Sequence, residues 1–144
     1  MLVGEFCCST DTNGWVTMPS AFRAELFDGA TVTRGIERCL LIYPATEWRE
    51  LTGKMGQGLP LTSRPAREFA RFMFSGAEVC TPDQAGRLRL PDQLREYASI
   101  EDEAIIVGLL SHLEVWCPER WRKTKSAIIE DGPGLAQELR EFGI

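Results

Sequence analysis

Short apolar segments alternate with turn residues along this chain, and the same order of segments occurs twice. In the first half, the alternation of apolar and polar positions predicts four strands: Leu2–Cys8, Val16–Met18, Ala30–Arg34 and Cys39–Tyr43. The second half predicts a matching set: Ala77–Cys80, Leu88–Leu90, Ala104–Leu109 and Leu113–Trp116. A helix is expected after each of Pro19, Pro44, Pro91 and Pro118, because proline suits a first helical turn, where its nitrogen needs no partner.

The two halves repeat in sequence as well as in pattern. The segment Asp11–Pro19 is echoed at Asp83–Pro91, an offset of 72 residues, and after a one-residue slip the echo continues at an offset of 73. Units of about 45 residues are marginal on their own, so we expect the copies to share one core or to pair with other chains. At one matched position an arginine is present in only one copy, since Trp15 stands where the second copy has Arg87.

The repeat also sets the domain organisation. The order within each half is strand, strand, short helix, strand, strand, helix, which predicts a mainly β protein with short helices, of the α+β class. We place repeat 1 at residues 5–47 and repeat 2 at residues 77–120, joined by a connecting helix over residues 61–75. Residues 127–144 are expected to form a C-terminal tail.

Two local signals support these boundaries. In the connecting segment, Thr62 and Ser63 can cap a helix, and the apolar residues that follow recur at spacings of three and four: Ala66, Phe69, Ala70 and Met73. The tail contains Gly132-Pro133-Gly134 and mixed charges, so we expect irregular chain there, with a short helix from Leu135 to Phe142.

Composition narrows the class of protein. The chain is 44% hydrophobic, enough for a real core, and its apolar runs are too short to cross a bilayer, so no membrane partner is expected. The N-terminus Met-Leu-Val-Gly-Glu lacks the features of a signal peptide, which predicts a cytoplasmic location. Five cysteines without CxxC spacing and one histidine offer few metal ligands, so we expect reduced thiols, no metal site and no cofactor.

Catalysis is not expected either. The sole histidine, His112, follows Ser111 in a predicted turn, where a surface histidine is the simpler interpretation than a general base. The glycines of Gly53–Gly58 lack the following Lys-Ser/Thr of a phosphate-binding loop. The sequence therefore predicts no catalytic residues, no enzyme and no small-molecule substrate.

The charge distribution limits any contact with nucleic acid. Net charge is −5, and neither copy is basic: residues 1–48 hold three arginines against six acidic residues, and residues 75–121 hold four against nine. A nucleic-acid contact must therefore come from the local placement of arginines, or from several subunits acting together.

Several segments resemble the MraZ family of transcriptional regulators, which are built from two AbrB-like (SpoVT-AbrB, MazE-like) units. The most specific segment is Ala66–Ala77, which is similar to the signature between the family's two repeats. Thr33-Arg34-Gly35 and Leu41-Ile42-Tyr43-Pro44 also match the family pattern. The resemblance covers about residues 1–125 and leaves the tail outside.

The DxxxR motif of the family is present unequally in the two copies. It is intact as Asp83 to Arg87, whereas the first copy keeps Asp11 and has Trp15 in place of arginine. The resemblance implies a swapped-hairpin β-barrel, in which two units contribute interleaved hairpins, and a ring-shaped homo-oligomer. It also implies a nucleoid-associated protein that binds double-stranded DNA at tandem short repeats in the promoter of the cell-division and cell-wall gene cluster, with the DxxxR loops facing the DNA.

The motif positions and their neighbours give seven candidate DNA-binding residues: Arg87, Arg89, Asp83, Gln84, Asn13, Trp15 and Thr17. The planar fork of Arg87 can pair with guanine O6 and N7, and Arg89 lies on the same strand face because it follows two residues later. Asp83 can orient that fork or brace the turn; the alternative is that Asp83 and Arg87 only pair with each other. Arg34 and Arg38 are secondary candidates for DNA contact, and solvated turn charge is the role expected of them.

Trp15 cannot replace a bidentate arginine, because indole offers one N–H donor and no charge. It can stack on DNA, wedge against sugar, or pack against a neighbouring subunit. The loss of this arginine and the negative net charge leave a second function open, a protein-interaction scaffold of the AbrB or antitoxin type with weak or lost DNA binding.

Overall fold

The computed structural model describes residues 1–143. Across these residues the strands are β1 (Leu2–Ser9), β2 (Trp15–Thr17), β3 (Ala30–Arg34), β4 (Leu40–Pro44), β5 (Glu78–Cys80), β6 (Arg87–Arg89), β7 (Glu103–Leu110) and β8 (Leu113–Trp116). The helices are α1 (Ser20–Leu26), α2 (Ala45–Gly58), α3 (Arg64–Phe74), α4 (Asp92–Ala98), α5 (Pro118–Glu130) and α6 (Gly132–Glu138), followed by a 3₁₀ turn at Arg140–Phe142. The predicted α+β class is confirmed, with 43% of residues in helices and 28% in strands.

The two copies exchange their first strands. One antiparallel sheet has the order β1-β7-β8-β4-β3-β5, and a second sheet contains only β2 and β6. Strand β1 of the first copy pairs with β7 of the second, and β5 of the second copy pairs with β3 of the first. This exchange is the interleaving that the family resemblance implied, although the hydrogen-bonded ladder of residues 1–143 does not close into a continuous barrel.

A pseudo-twofold relation connects the copies. Equivalent strands meet at its centre, where β4 pairs with β8 through Leu41 and Glu114, and β2 pairs with β6 through Val16 and Leu88. The strand register also shows that the equivalent strands β3 and β7 are separated by a different number of residues from the offsets of 72 and 73 found in the sequence. Cys8 opposes Ala104 as Cys80 opposes Ala30, so this part of the repeat is offset by 74, because the loop before β7 is longer.

The two copies share one core. Much of this core consists of pairs of buried apolar residues at equivalent positions of the two copies. These pairs are Val16 and Leu88, Met18 and Leu90, Phe22 and Leu94, Val32 and Ile106, Leu40 and Leu113, and Ile42 and Val115. Each fully buried aliphatic or aromatic side chain contributes roughly 1.5–3 kcal/mol relative to exposure. Neither copy holds enough of these residues alone, which confirms the expectation of a shared core.

Helices α2, α3, α4 and α5 contact strands of the large sheet. The connecting helix α3 begins at Ser63, whose Oγ accepts a hydrogen bond from the Ala66 amide at 3.4 Å, as the capping signal predicted. It is fixed to β3 by hydrogen bonds from Thr33 Oγ1 to the Met73 carbonyl and from Arg34 Nη1 to the Phe72 carbonyl, the latter at 2.7 Å. No helix within residues 1–143 has both the length and the apolar character needed to cross a membrane.

The C-terminal segment contains more helix than expected. Helix α5 continues to Glu130, into the segment 127–144 that was expected to be a tail. The predicted helix from Leu135 to Phe142 is wrong in its bounds, since α6 starts at Gly132 and ends at Glu138. Gly132-Pro133-Gly134 opens the helix because proline is tolerated in a first helical turn.

We predict that Gly14→Ala destabilises the fold. Gly14 has a φ of +89°, and an added Cβ would lie 2.5 Å from the backbone carbonyl oxygen of Leu90. The left-handed backbone alone costs about 1–3 kcal/mol for a residue with a Cβ. Urea denaturation should show at least that loss of unfolding free energy.

Gly53→Ala is the matched control, because Gly53 lies within α2 and a Cβ there meets no atom within 4 Å. Its unfolding free energy should rise by up to about 1 kcal/mol, since alanine is the better helix former. Equal stability of the two variants would contradict the strain assigned to Gly14.

Candidate nucleic-acid interface

Both copies build the same tight turn before the short strands of the small sheet. In the first copy, Asp11 Oδ1 accepts hydrogen bonds from the amides of Asn13 and Trp15, both at 2.9 Å. The Gly14 amide donates to the Asp11 carbonyl at 3.1 Å, and the Asp11 amide donates to the Trp15 carbonyl at 3.0 Å. The aspartate at the start of the motif therefore braces the turn, and glycine supplies the positive φ that closes it.

The second turn repeats this bracing and adds an arginine. Asp83 Oδ1 accepts from the amides of Ala85 at 3.0 Å and Arg87 at 2.8 Å, while Asp83 Oδ2 accepts from Arg87 Nε at 2.7 Å. Backbone and side-chain hydrogen bonds from Arg87 lower the pKa of Asp83 below its ordinary value. Asp83 thus both braces the turn and orients the guanidinium, so the two predicted roles coexist with the predicted ion pair.

The two turns lie at opposite ends of one antiparallel ribbon. Trp15 opposes Arg89, Val16 opposes Leu88 and Thr17 opposes Arg87. Each turn is joined to the other copy, because the Gly14 carbonyl accepts from the Leu90 amide at 2.8 Å and the Gly86 carbonyl accepts from the Met18 amide at 3.1 Å. Neither copy can form this arrangement alone.

The outer face of the ribbon brings the predicted site residues together. Val16 and Leu88 are fully buried, so their neighbours on β2 and β6 project to the opposite side. We define the ribbon face as the outward residues of the two strands, Trp15, Thr17, Arg87 and Arg89, together with three predicted site residues of the turns, Asn13, Asp83 and Gln84. Their role in binding DNA stays a prediction.

Arg87 and Arg89 supply the positive charge of the ribbon face. Each side chain is 44% exposed. Arg89 Nε donates to the Asn13 carbonyl at 3.0 Å, so this arginine also connects the copies. Its Nη2 lies 3.4 Å from Asp92 Oδ1, which accepts more closely from Arg95 Nη2, at 2.5 Å. This bond to Arg95 is the main reason that the pKa of Asp92 is lowered.

Trp15 contacts the arginine of the other copy. The Cζ atom of Arg87 lies 5.3 Å from the centre of the indole ring, within the range of a cation–π contact. Trp15 is half-buried. Within this chain, Trp15 therefore packs against the second copy, and packing against a neighbouring subunit stays a prediction.

A second pair of arginines, Arg23 and Arg95, lies against the turns and is absent from the residues predicted for the site. A Cβ on Gly86 would lie 2.5 Å from Arg23 Nε, and one on Gly14 would lie 2.7 Å from Arg95 Nε. Arg23 also donates to the Met18 carbonyl at 3.1 Å. The available signal was the repeat itself, since Arg23 and Arg95 are partners at the offset of 72 residues.

Arg34 and Arg38 do not join the ribbon face. Besides its bond to Phe72, Arg34 lies 3.2 Å from Ser75 Oγ, and Arg38 stacks over the ring of Tyr97 at 5.0 Å. Both arginines are therefore engaged within the chain, and the expectation of solvated turn charge is wrong for Arg34.

The remaining chemistry of the described chain is sparse. Within residues 1–143, no three side chains of histidine, cysteine, aspartate or glutamate come together as a metal site. His112 stacks on Tyr43 with ring centres 4.7 Å apart and shares a 2.9 Å contact between its Nδ1 and Ser111 Oγ. Burial lowers the pKa of His112 below its ordinary value.

Comparison with known families gives a match across both copies. The family model described as "MraZ protein, putative antitoxin-like" matches the chain twice, over residues 1–72 and over residues 73–134. The boundary between the two matches falls inside Ala66–Ala77, the segment that carries the most specific part of the resemblance.

Individual relatives are similar over their whole length. The proteins named transcriptional regulator MraZ are 40% identical in Halothermothrix orenii, 39% in Natranaerobius thermophilus and 42% in Alkaliphilus oremlandii. Each alignment covers 144 residues, which is all of this chain and all of the relative. The expectation that the similarity ends near residue 125 is therefore wrong. The tail carries a helical pattern without distinctive motif residues, so motifs alone did not extend the resemblance to it.

We predict that Asp83→Asn weakens the fold in a pH-dependent way. Because the folded state lowers the pKa of Asp83, its stabilising contribution is complete above the ordinary value of about 3.9 and is lost as the pH falls through the lowered pKa. The Tm of the variant should lie below that of the wild type at pH 7, and the difference should narrow below about pH 4.

Glu138→Gln is the control for this pH series, because Glu138 is exposed near the C-terminus. Its Tm should follow the wild type at every pH. A Tm of Asp83→Asn equal to the wild type at pH 7 would contradict the bracing role of the carboxylate.

Proposed function

The chain belongs to the MraZ family, and from that premise we propose that it is a sequence-specific DNA-binding transcriptional regulator. Its target is a set of tandem short repeats in the promoter of the cell-division and cell-wall gene cluster, and it binds them as a ring-shaped homo-oligomer. Its working location is the cytoplasm, in association with the nucleoid. Its relatives carry the name transcriptional regulator, which supports this role.

The observation that carries the proposal is the form of the ribbon face. The major groove of B-DNA, about 12 Å wide, accepts a two-stranded β-ribbon. Arg87 uses Nε for Asp83, and within residues 1–143 neither of its Nη groups makes a hydrogen bond. Those two groups form a planar pair of donors that matches O6 and N7 of guanine.

The rest of the ribbon face fits backbone contacts. Asn13 and Thr17 are exposed and polar, and they lie at the ends of the same ribbon as Arg89. Such groups bond to phosphate oxygens, which fixes the register of a protein on the duplex without reading sequence. In this proposal Arg87 reads bases, and the flanking polar residues position it.

Oligomerisation compensates for the small charge of each ribbon face. The net charge of the chain is −5, and each ribbon face offers two arginines beside one aspartate. One chain alone therefore makes a weak complex. Several chains on successive repeats bind more tightly, because each contact after the first is effectively intramolecular.

A second function has specific support. The matching family model is described as antitoxin-like, the chain is acidic, and Trp15 replaces the arginine of the first motif. These features suit a scaffold that binds a partner protein and has weak or lost DNA binding. The two functions differ in what happens on DNA, so one titration separates them.

We expect this protein to bind a duplex that carries the tandem repeats of its own promoter far more tightly than a scrambled duplex. Arg87→Ala should weaken binding to the repeats by about 1–3 kcal/mol, because one bidentate arginine–guanine pair is worth that much. A fluorescence anisotropy titration at several salt concentrations measures both the Kd and its salt dependence.

Arg122→Ala is the matched control, because Arg122 is exposed on α5, outside the ribbon face. It should leave the preference for the repeats unchanged. If both variants lose the same binding affinity for the repeats, Arg87 contributes only its positive charge and does not read bases. Equal binding of the wild type to both duplexes would reject the regulator and favour the scaffold.

The proposed ring leads to a separate expectation. Native mass spectrometry should show one closed oligomer with a fixed number of chains. Duplexes carrying one repeat and several repeats should then differ in apparent affinity by about a hundredfold or more, the usual gain from linked binding sites. A monomer in solution, or equal affinity for both duplexes, would contradict ring-based binding.

A further inference from the structure

Positions 15 and 87 are equivalent in the repeat, and their side chains touch. Trp15 and Arg87 each follow the glycine of their turn, and they lie diagonally across the ribbon on the same face. The contact between the indole and the guanidinium therefore lies at the pseudo-twofold axis of the ribbon. At this axis, a residue of one copy contacts the equivalent residue of the other copy.

This location explains why the identity of residue 15 matters for residue 87. Two arginines at equivalent positions would bring two like charges close together at the axis, where each would disfavour the other. Indole removes one of these charges and offers a ring face that attracts the remaining cation. The ribbon face thus has one central guanidinium instead of two competing ones.

The guanidinium of Arg87 is held at two points. Asp83 Oδ2 accepts from Nε at 2.7 Å, and the ring of Trp15 lies 5.3 Å from Cζ. A hydrogen bond at Nε fixes the direction of the fork, and contact with a flat ring restricts its rotation about that direction. Both Nη groups remain free of hydrogen bonds within residues 1–143.

Packing alone does not account for Trp15. The core position of β2 is filled by Val16, which is fully buried, whereas Trp15 is half-buried on the outer face and lies outside the core cluster. The contact recorded for its ring is with the guanidinium of Arg87.

We propose that Trp15 is a positioning residue for Arg87, which fixes the guanidinium so that its two Nη groups meet guanine as one preorganised fork. This inference rests on the proposed DNA-binding function. Its physical basis is that a side chain ordered before binding loses less conformational freedom in the complex. In the first copy, the residue at the position of the motif arginine therefore holds the arginine of the second copy in place.

The first test uses the free protein and involves no DNA. In a ¹⁵N–¹H spectrum, the Nε–Hε signal of Arg87 is identified by its disappearance in Arg87→Lys. In the wild type this signal should carry a ring-current shift and exchange slowly with water. Trp15→Leu, which keeps an apolar side chain, should remove the shift and accelerate exchange, whereas Trp15→Tyr should retain most of both.

The second test is a double-mutant cycle on the duplex with tandem repeats. Trp15→Leu should raise the Kd by about three- to tenfold, the range expected for a partly exposed cation–π contact. In the Arg87→Ala background the same change should leave the Kd unaltered. Trp15→Tyr should restore binding to within about twofold of the wild type, which a purely apolar packing role would not require.

The outcomes are distinct. An equal effect of Trp15→Leu in both backgrounds would overturn the proposal, because Trp15 would then act on DNA or on the fold independently of Arg87. An Arg87 signal unchanged by Trp15→Leu would overturn it as well. If the wild type binds the duplex with tandem repeats no more tightly than a scrambled duplex, the proposed function fails. The spectrum of the free protein then decides by itself whether Trp15 holds Arg87.

Discussion

The exchange of first strands between the two copies is the constraint on which the rest of this structure depends. Strand β1 pairs with β7 along its whole length, from Leu2 to Ser9, and β5 pairs with β3. Neither strand pairs with a strand of its own copy, so each copy on its own would lose these ladders of hydrogen bonds. Folding of one copy is therefore tied to folding of the other, and the core that forms between them belongs to both.

The same exchange creates the site. It brings β2 beside β6, and the carbonyls of Gly14 and Gly86 then accept hydrogen bonds from the opposite copy. Each turn is rigid because an aspartate binds its amides, and each is supported by an arginine, Arg23 or Arg95. A face built in this way holds its side chains on strands and tight turns, which keeps their geometry more precise than mobile loops would.

Much of this could be predicted from the sequence, because the signals are local. Apolar alternation, proline positions and turn glycines indicated the strands and helices, and the repeated motif indicated the two turns whose strands, β2 and β6, pair in the small sheet. The strand exchange came only from the family resemblance, since pairing between distant strands leaves no mark on local pattern. The contact between Trp15 and Arg87 was missed for the same reason, and the engagement of Arg34 by α3 depends on how a helix docks.

Duplication within one chain changes what symmetry permits. In a dimer of identical units, a position on the twofold axis meets itself, so a cation there must face a like cation. Two copies in one chain can diverge, and here one side of the axis has become an aromatic ring while the other keeps its charge. The aspartate and glycine of the turn, and the proline that follows its strand, occur in both copies, because the backbone of the ribbon needs them twice. The side chain at the axis is needed once, and there the two halves carry different chemistry.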